Sequence, residues 1–406
     1  MNTMQRKEIM DRKRRCDYKR INCLFLMLII YPVNNLLMAL YEYMGIQQPN
    51  SLIFLYFIVF LYGTTVVFRF SFTKKDLSIL LFIYICYLFL YLCSEPEARI
   101  EFKSVYMKIV YFYFIPFSVI LISHIENWEE YFTNKKYIYF ADIMVIFTII
   151  SKLFLHDSTD YMIFSYDLLP LWGIVIVSAL HYHNKKQWIF VMVIIIEALV
   201  FGSRGAFLWL VICGMLTYFV DFYYLIGNKK KFFNRLLSIP CILGIVVLAI
   251  VIFLPKLMES SLSSSSYILK RISMGNLGES KARIDIINIC MDAIKDMGPD
   301  IHGLFYDRLI IPKGMYAHNI IIEAILCLGW VLGILFLFFV FYKTFKAFKS
   351  QTHQGKIVFS YFFSLLFLRY FISGSIFGEG KFIIFIAVMV SLCRKKVKIQ
   401  TSIKRH

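Results

Sequence analysis

One histidine and a set of arginines are the residues of this chain whose types and positions suggest chemistry. His318 stands where a polar stretch, residues 256–316, meets the next apolar run, and that stretch also carries Arg271, Arg283 and Arg308. Histidine exchanges a proton near neutral pH, and arginine offers anions a planar fork of N–H groups. The pattern predicts a site for an anionic substrate at a membrane surface.

Two further arginines lie in or beside apolar runs. Arg204 belongs to Gly202-Ser203-Arg204-Gly205, where the glycines allow a ligand to approach closely and the guanidinium suits phosphate oxygens. The alternative is a tight turn whose arginine reaches the membrane interface. Arg369 lies inside a late apolar run, where an unpartnered charge costs about 2.5–3.5 kcal/mol. We therefore expect Arg369 to face a cavity or a partner.

The residues next to the candidates predict how they are held. Asn319 can cap the helix that begins there, in which case His318 is only an interfacial side chain. Glu323 follows Asn319 by four residues, so it shares its helix face and can orient a polar group. Arg283 opens a segment with apolar residues at helical spacing, which predicts an amphipathic helix near the membrane surface, with a solvated arginine as the simpler alternative.

Composition places these residues in a membrane protein. Hydrophobic residues make up 59% of the 406 residues, against about 45–50% in soluble domains, and charged residues only 17%. A helix needs about 20 apolar residues to cross a bilayer. The sequence predicts an all-α polytopic protein with about twelve spans, near 21–40, 51–68, 77–93, 105–123, 137–155, 162–180, 187–202, 204–226, 238–254, 317–342, 357–376 and 381–393.

The distribution of lysine and arginine predicts how these spans are oriented. Short segments on one side carry twenty-nine of these residues, and those on the other side carry seven. Basic short loops face the cytoplasm. The chain is therefore expected to divide as follows: a cytoplasmic basic tail at 1–20, helices 1–9 in 21–255, a large extracytoplasmic loop with an amphipathic helix at 256–316, helices 10–12 in 317–393, and a second cytoplasmic tail at 394–406.

The same composition argues against other classes of function. The net charge of +18 comes from basic residues between apolar runs, which membrane topology explains better than binding to nucleic acid. Nine scattered cysteines form no CxxC pair, and no acidic cluster of the metal-binding DxD type lies on the outer face. We expect no metal and no other cofactor.

The order of the motifs resembles that of a known family. Phe201-Gly202-Ser203-Arg204-Gly205-Ala206, then Ser280-Lys281-Ala282-Arg283, then Ala317-His318-Asn319 with Glu323, Gly329 and Gly333, look like the O-antigen polymerase and ligase superfamily. The match covers roughly residues 190 to 345. In place of the Gly-x-Gly often seen before the His-Asn pair, this chain has Gly298-Pro299 and His302-Gly303, which leaves the role of His302 open.

The resemblance implies a reaction and residues for it. Members of the family transfer glycans from a polyprenyl diphosphate outside the membrane. The resemblance implies that Arg204 and Arg283 contact the diphosphate and that His318 activates the acceptor hydroxyl. Arg369 is a further candidate for diphosphate binding because it lies near the outer end of a late span. The substrate would be an undecaprenyl-diphosphate-linked oligosaccharide in the lipid of a bacterial plasma membrane, with a flippase and a chain-length regulator as partners.

Three other functions stay open at this point. A ligase of the same superfamily would pass finished polymer to a different acceptor. A transporter or flippase would need internal repeats or charges lining a path across the membrane, and the sequence has no visible repeat. A purely structural membrane protein would leave the charge of Arg369 unexplained.

Overall fold

The structure is a computed structural model that describes residues 3–46, 50–70, 72–154, 161–225, 281–312, 315–349 and 352–403. The predicted ninth span, 238–254, and the first part of the predicted large loop lie outside the described residues. The α-helices of the described ranges are α1 (Thr3–Tyr43), α2 (Ser51–Phe70), α3 (Lys74–Cys93), α4 (Val105–Ile109), α5 (Ile115–Ser123), α6 (Glu129–Thr133), α7 (Lys135–Phe154), α8 (Tyr161–Leu180), α9 (Gln187–Val200), α10 (Arg204–Leu225), α11 (Lys281–Asp296), α12 (Asp307–Ile310), α13 (Ile320–Lys349), α14 (His353–Phe362) and α15 (Gly380–Ile403).

The all-α class is confirmed, and six helices are long and apolar enough to cross a membrane: α1, α2, α3, α8, α10 and α13. Their surroundings differ. Only 6% of the apolar window of α3 is buried, against 89% for α8. Exposed apolar surface of this size is unfavourable in water and suits contact with lipid. The described part of the chain is all-α and compatible with a membrane, and its six helices of membrane-crossing length are fewer than the twelve predicted spans.

Pro116 and Pro170 each remove one helical hydrogen bond, and distant side chains compensate. Pro116 has no N–H for the carbonyl of Phe112, and that oxygen accepts a hydrogen bond from the Tyr84 hydroxyl at 2.7 Å. The predicted span 105–123 is not one regular helix, because a π-helical turn, Val110–Phe114, separates α4 from α5. In α8, Pro170 likewise frees the carbonyl of Tyr166.

The predicted span 317–342 also differs in the structure. Gly329 has φ 72° and ψ 173°, so α13 bends sharply there. A Cβ on Gly329 would lie 2.4 Å from the carbonyl oxygen of Asp300, and one on Gly333 would lie 2.8 Å from that of Ala324. The two glycines therefore bring backbone segments into close contact, one with the residues before α12 and one within α13 itself.

The predicted span 357–376 is shorter and less regular than expected. After α14 the chain forms a π-helical turn, Phe363–Phe367, and then a 3-10 turn, Leu368–Phe371. Residues 372–379 form a loop before α15, which we call the 372–379 loop. Such π-helical turns inside helices often occur at functional sites, and this one directly precedes Arg369.

The bundle has two ends with different contents. The loop end contains α11, α12 and the 372–379 loop. At the opposite end, which we call the basic end, Arg20 donates to the carbonyl of His124 at 3.0 Å and Arg394 to that of Ser123 at 3.3 Å. Six candidate residues lie at the loop end: Arg204, Arg283, His318, Asn319, Glu323 and Arg369. Arg271 lies outside the described residues. Which end faces the cytoplasm stays a prediction from the basic residues.

Candidate active site

Arg369 is the buried cation of the loop end. Its side chain is about 6% exposed, and Nη2 lies 3.0 Å from Oε1 and 2.9 Å from Oε2 of Glu379. The guanidinium carbon lies 4.6 Å from the ring centre of Tyr166 and 5.4 Å from that of Tyr370. Among the described residues, Nε and Nη1 have no hydrogen-bond acceptor although both are buried. Arg369 therefore holds one carboxylate through Nη2 and keeps the N–H groups of two nitrogens, Nε and Nη1, for another anion.

Arg204 begins a helix beside Tyr166, the tyrosine whose ring Arg369 contacts. It is the first residue of α10, which Ser203 caps by accepting a hydrogen bond from the amide of Ala206 at 3.1 Å. A Cβ on Gly205 would lie 2.2 Å from the Tyr166 hydroxyl, so any larger residue here would displace this tyrosine. Tyr166 thus contacts both arginine-bearing segments. The positive end of the α10 dipole adds to the affinity of this region for anions.

Lys381 holds the backbone at Tyr166 in place. Lys381, at the start of α15, donates to Asp167 at 2.7 Å and to the carbonyl of Tyr166 at 3.3 Å, the oxygen that Pro170 leaves without a helical partner. Asn35 of α1 donates to the other Asp167 oxygen at 3.2 Å. The charge of Lys381 is therefore paired within the protein, and its role is to hold Tyr166 in place.

His318 lies just before α13 in an unusual backbone conformation. Its φ is 54°, in the left-handed region that non-glycine residues rarely adopt. Its ring packs 4.0 Å from the ring of Tyr316, and its Nδ1 is buried without a partner among the described residues. Burial, followed by the charge of Arg283, lowers the pKa of His318 to about 4. The imidazole is therefore neutral at pH 7, with a nitrogen that can accept a proton.

Two hydrogen-bonded side chains hold this strained residue. Asp307 accepts a hydrogen bond from the amide of Ala317 at 2.9 Å, and burial raises the pKa of this carboxyl. Asn319 accepts from the amide of Ile321 at 2.9 Å and so caps α13. The Asn319 amide also donates to the carbonyl of Phe371 at 3.3 Å. Asn319 therefore connects the backbone of His318 to the turn that carries Arg369.

Glu323 anchors the 372–379 loop from inside the bundle. Its buried carboxylate accepts from the Ser375 hydroxyl, from the amide of Ile376 at 2.9 Å and from that of Phe377 at 3.4 Å. The same loop ends at Glu379, the partner of Arg369. Glu323 thus acts on the site through the loop, which is a positioning role.

Tyr316 completes the connection between His318 and Arg369. Its ring contacts His318, and its hydroxyl lies near the charged pair of Arg369 and Glu379. Burial first, and then the negative charge of Glu379, raises the pKa of Tyr316, while Arg369 opposes this. The hydroxyl is consequently a neutral hydrogen-bond donor at pH 7.

The structure brings the six sequence candidates to one end of the bundle in two linked groups. Arg369 contacts Tyr166, which also packs against Gly205 beside Arg204. The charge of Arg283 acts on His318, which is connected to Arg369 through Tyr316 and Asn319. His302, whose role was open, stacks on Tyr306 at 4.2 Å. The sequence analysis missed Tyr166, Tyr316, Asp307, Glu379 and Lys381, because each acts through a partner that is distant in sequence or carries no motif of its own.

The site combines a buried guanidinium with free donors, further arginines and a neutral imidazole. Such a set can bind an anionic group and accept a proton beside it. Comparison of the chain with models of protein families, with curated proteins and with solved structures finds no match.

Proposed function

We propose that this protein is a membrane glycosyltransferase that polymerises a bacterial polysaccharide. It would move a growing glycan from an undecaprenyl diphosphate carrier to another lipid-linked repeat unit on the extracytoplasmic face of the plasma membrane. The observation that carries the proposal is Arg369, a buried guanidinium with two nitrogens that have no acceptor among the described residues. Its guanidinium contacts Tyr166, which also packs on the Arg204 segment.

The proposed reaction requires charge stabilisation and one proton transfer. The acceptor hydroxyl oxygen bonds to the anomeric carbon of the donor glycan, and the bond from that carbon to the diphosphate oxygen breaks. The diphosphate leaves with the electron pair, and its developing charge is met by Arg369, Arg204 and Arg283. His318 accepts the hydroxyl proton, a step that contributes about 10²- to 10⁴-fold.

The lowered pKa of His318 is compatible with this role. A base of pKa about 4 is weak at neutral pH, but its neutrality keeps the proton-accepting nitrogen available. A bound diphosphate adds negative charge next to Arg283, which offsets the arginine and raises the pKa of His318. Substrate binding thereby brings the base closer to the range in which it works best.

An apolar groove gives the lipid part of such a substrate a place. The groove has a volume of about 770 Å³ and lies between α10, α13 and α14. Its walls are mainly aromatic, with Phe219, Phe341, Phe345 and Phe363, and it reaches Phe371, two residues beyond Arg369. A long hydrocarbon chain in this groove would present its diphosphate to the buried arginine. This neighbourhood favours a lipid-linked donor over a soluble one.

The proposal is tested in a strain that lacks the gene and expresses single variants. H318A, R204A and R369A should cause single lipid-linked repeat units to accumulate without long chains, at normal levels of inserted protein. K295Q, which changes an exposed residue of α11, should behave as wild type. Normal polymer in all three variants would rule the proposal out.

The same experiment separates the rival functions. Long lipid-linked polymer that is never passed to its final acceptor would indicate a ligase. Repeat units trapped on the cytoplasmic side would indicate a flippase. The proposed polymerase works with a flippase and a chain-length regulator, and it needs no cofactor.

A further inference from the structure

Two histidines and an aspartate meet at the basic end, far from the candidate active site. His181 follows the last residue of α8, Asp221 lies near the end of α10, and His353 opens α14. Asp221 is seventeen residues after Arg204 on the same helix, about 25 Å along its axis. The separations in sequence are 40 and 132 residues, so no local motif signals this cluster.

The ring nitrogens of the two histidines converge on one oxygen. His181 Nδ1 and His353 Nε2 each lie 2.7 Å from Oδ1 of Asp221, and the three atoms lie within 4.8 Å of one another. The two rings are perpendicular, with centres 5.1 Å apart. Two imidazoles and a carboxylate this close together are ligands that divalent transition metals prefer.

We propose that His181, Asp221 and His353 bind a divalent transition-metal ion of the zinc type that joins α8, α10 and α14 at the basic end. This site is independent of the proposed glycan transfer. Its three helices lead at their other ends to Tyr166, Arg204 and the turn that carries Arg369. The metal would therefore stabilise the framework of the candidate active site without touching a substrate.

The surroundings of the cluster allow an ion to enter and hold its ligands. The Asp221 side chain is 4% exposed and that of His181 14%, whereas that of His353 is 38% exposed and leaves an open side for the ion and for water ligands. Tyr224 stacks on His353 at 4.2 Å, and Tyr182 meets His181 edge-on at 4.6 Å. Neighbours that fix ligand orientation in this way strengthen metal binding.

A metal ion can bind only if the three ligand atoms move apart. Bonds of about 2.1 Å at tetrahedral angles separate ligand atoms by about 3.4 Å. The two present N···O distances are 2.7 Å, so each must widen by about 0.7 Å. His353 is the first residue of its helix and partly exposed, so it can move away from Asp221. The distance between His181 and Asp221 must widen by rotation of those two side chains.

The test uses the full-length protein, purified in detergent with a tag that contains no histidine. After loading with zinc and dialysis, metal analysis should find one zinc per chain. Cobalt in its place should give the absorption bands of a four- or five-coordinate ion. H353Q and D221N should each weaken zinc binding by at least about 100-fold, the upper end of what loss of a mere outer partner costs.

Controls keep the result interpretable. H183Q removes an exposed histidine two residues from His181 and should keep wild-type zinc binding. If the variants fold poorly, the wild type alone decides: zinc should raise its melting temperature and a chelator should reverse the effect. Substoichiometric zinc, no change in melting temperature, or equal binding by H353Q would show that the three residues form only a hydrogen-bonded cluster and would overturn the proposal.

Discussion

Replacement of Arg283 by glutamine tests the arrangement around His318 directly. Arg283 lies in the first turn of α11, and its charge is the second cause of the lowered pKa of His318, after burial. R283Q removes the charge and keeps a side chain of similar length. We expect the pKa of His318 to rise, because protonation no longer places a second positive charge beside the first.

The structure limits the size of this rise. The pKa of His318 falls from 6.5 to about 4, and burial accounts for more of the difference than Arg283 does. Removal of the arginine should therefore recover less than half of this fall, which gives His318 in R283Q a pKa between about 4 and 5.2. In free energy this is at most about 1.7 kcal/mol, at 1.36 kcal/mol for each tenfold change in proton affinity.

The measurement is a titration of histidine-labelled protein by NMR, with H318Q to assign the signal. K295Q provides the control, because Lys295 is an exposed cation on the same helix. An unchanged pKa in R283Q, or an equal change in K295Q, would refute the proximity of Arg283 and His318.

Since the pKa of His318 in the native state lies below its value in the unfolded chain, the unfolded chain binds more protons between pH 6.5 and 4. The His318 contribution to stability is therefore present above pH 6.5 and is lost as the pH falls toward 4.

Three further substitutions test how the site is held. R369K keeps the charge but loses the planar fork, so turnover should fall by about 10²–10³-fold in a polymer assay while the protein still inserts. E323A leaves the loop hydrogen-bond donors without an acceptor, and should lower stability by about 2–4 kcal/mol and increase proteolysis in the 372–379 loop, whereas I321A, an exposed change on the same helix, should not. G329A places a Cβ 2.4 Å from a carbonyl oxygen at φ 72°, and should lower the melting temperature more than G45A, where φ is also positive but space is open.

Much of the candidate site could be predicted from the sequence. The sequence marks Arg204, Arg283, His318 and Arg369 by motif and position. They lie at the same end of the bundle, and their roles stay predictions. Capping by Asn319 was one of two interpretations of the His318-Asn319 pair, and Asn319 does cap α13. Residue type and helical spacing are local properties, and they suffice for such conclusions.

Other features follow from contacts between distant segments. Glu323 was expected to orient a polar group, but only the tertiary structure identifies that group as the 372–379 loop. The partner of Arg369 is Glu379, and its aromatic platform is Tyr166, two hundred residues earlier in the chain. No spacing rule links these residues, because the path between them runs through several helices.

The sequence by itself determined the all-helical class, the apolar character of the helices and the set of chemically capable residues, because these depend on composition and local periodicity. The tertiary structure decided where helices break and which groups meet. The carbonyl freed by Pro170 is met by Lys381, and Gly329 bends α13 where another backbone segment packs against it. The histidine–aspartate cluster at the basic end arises in the same way, since only packing brings the ends of three helices together.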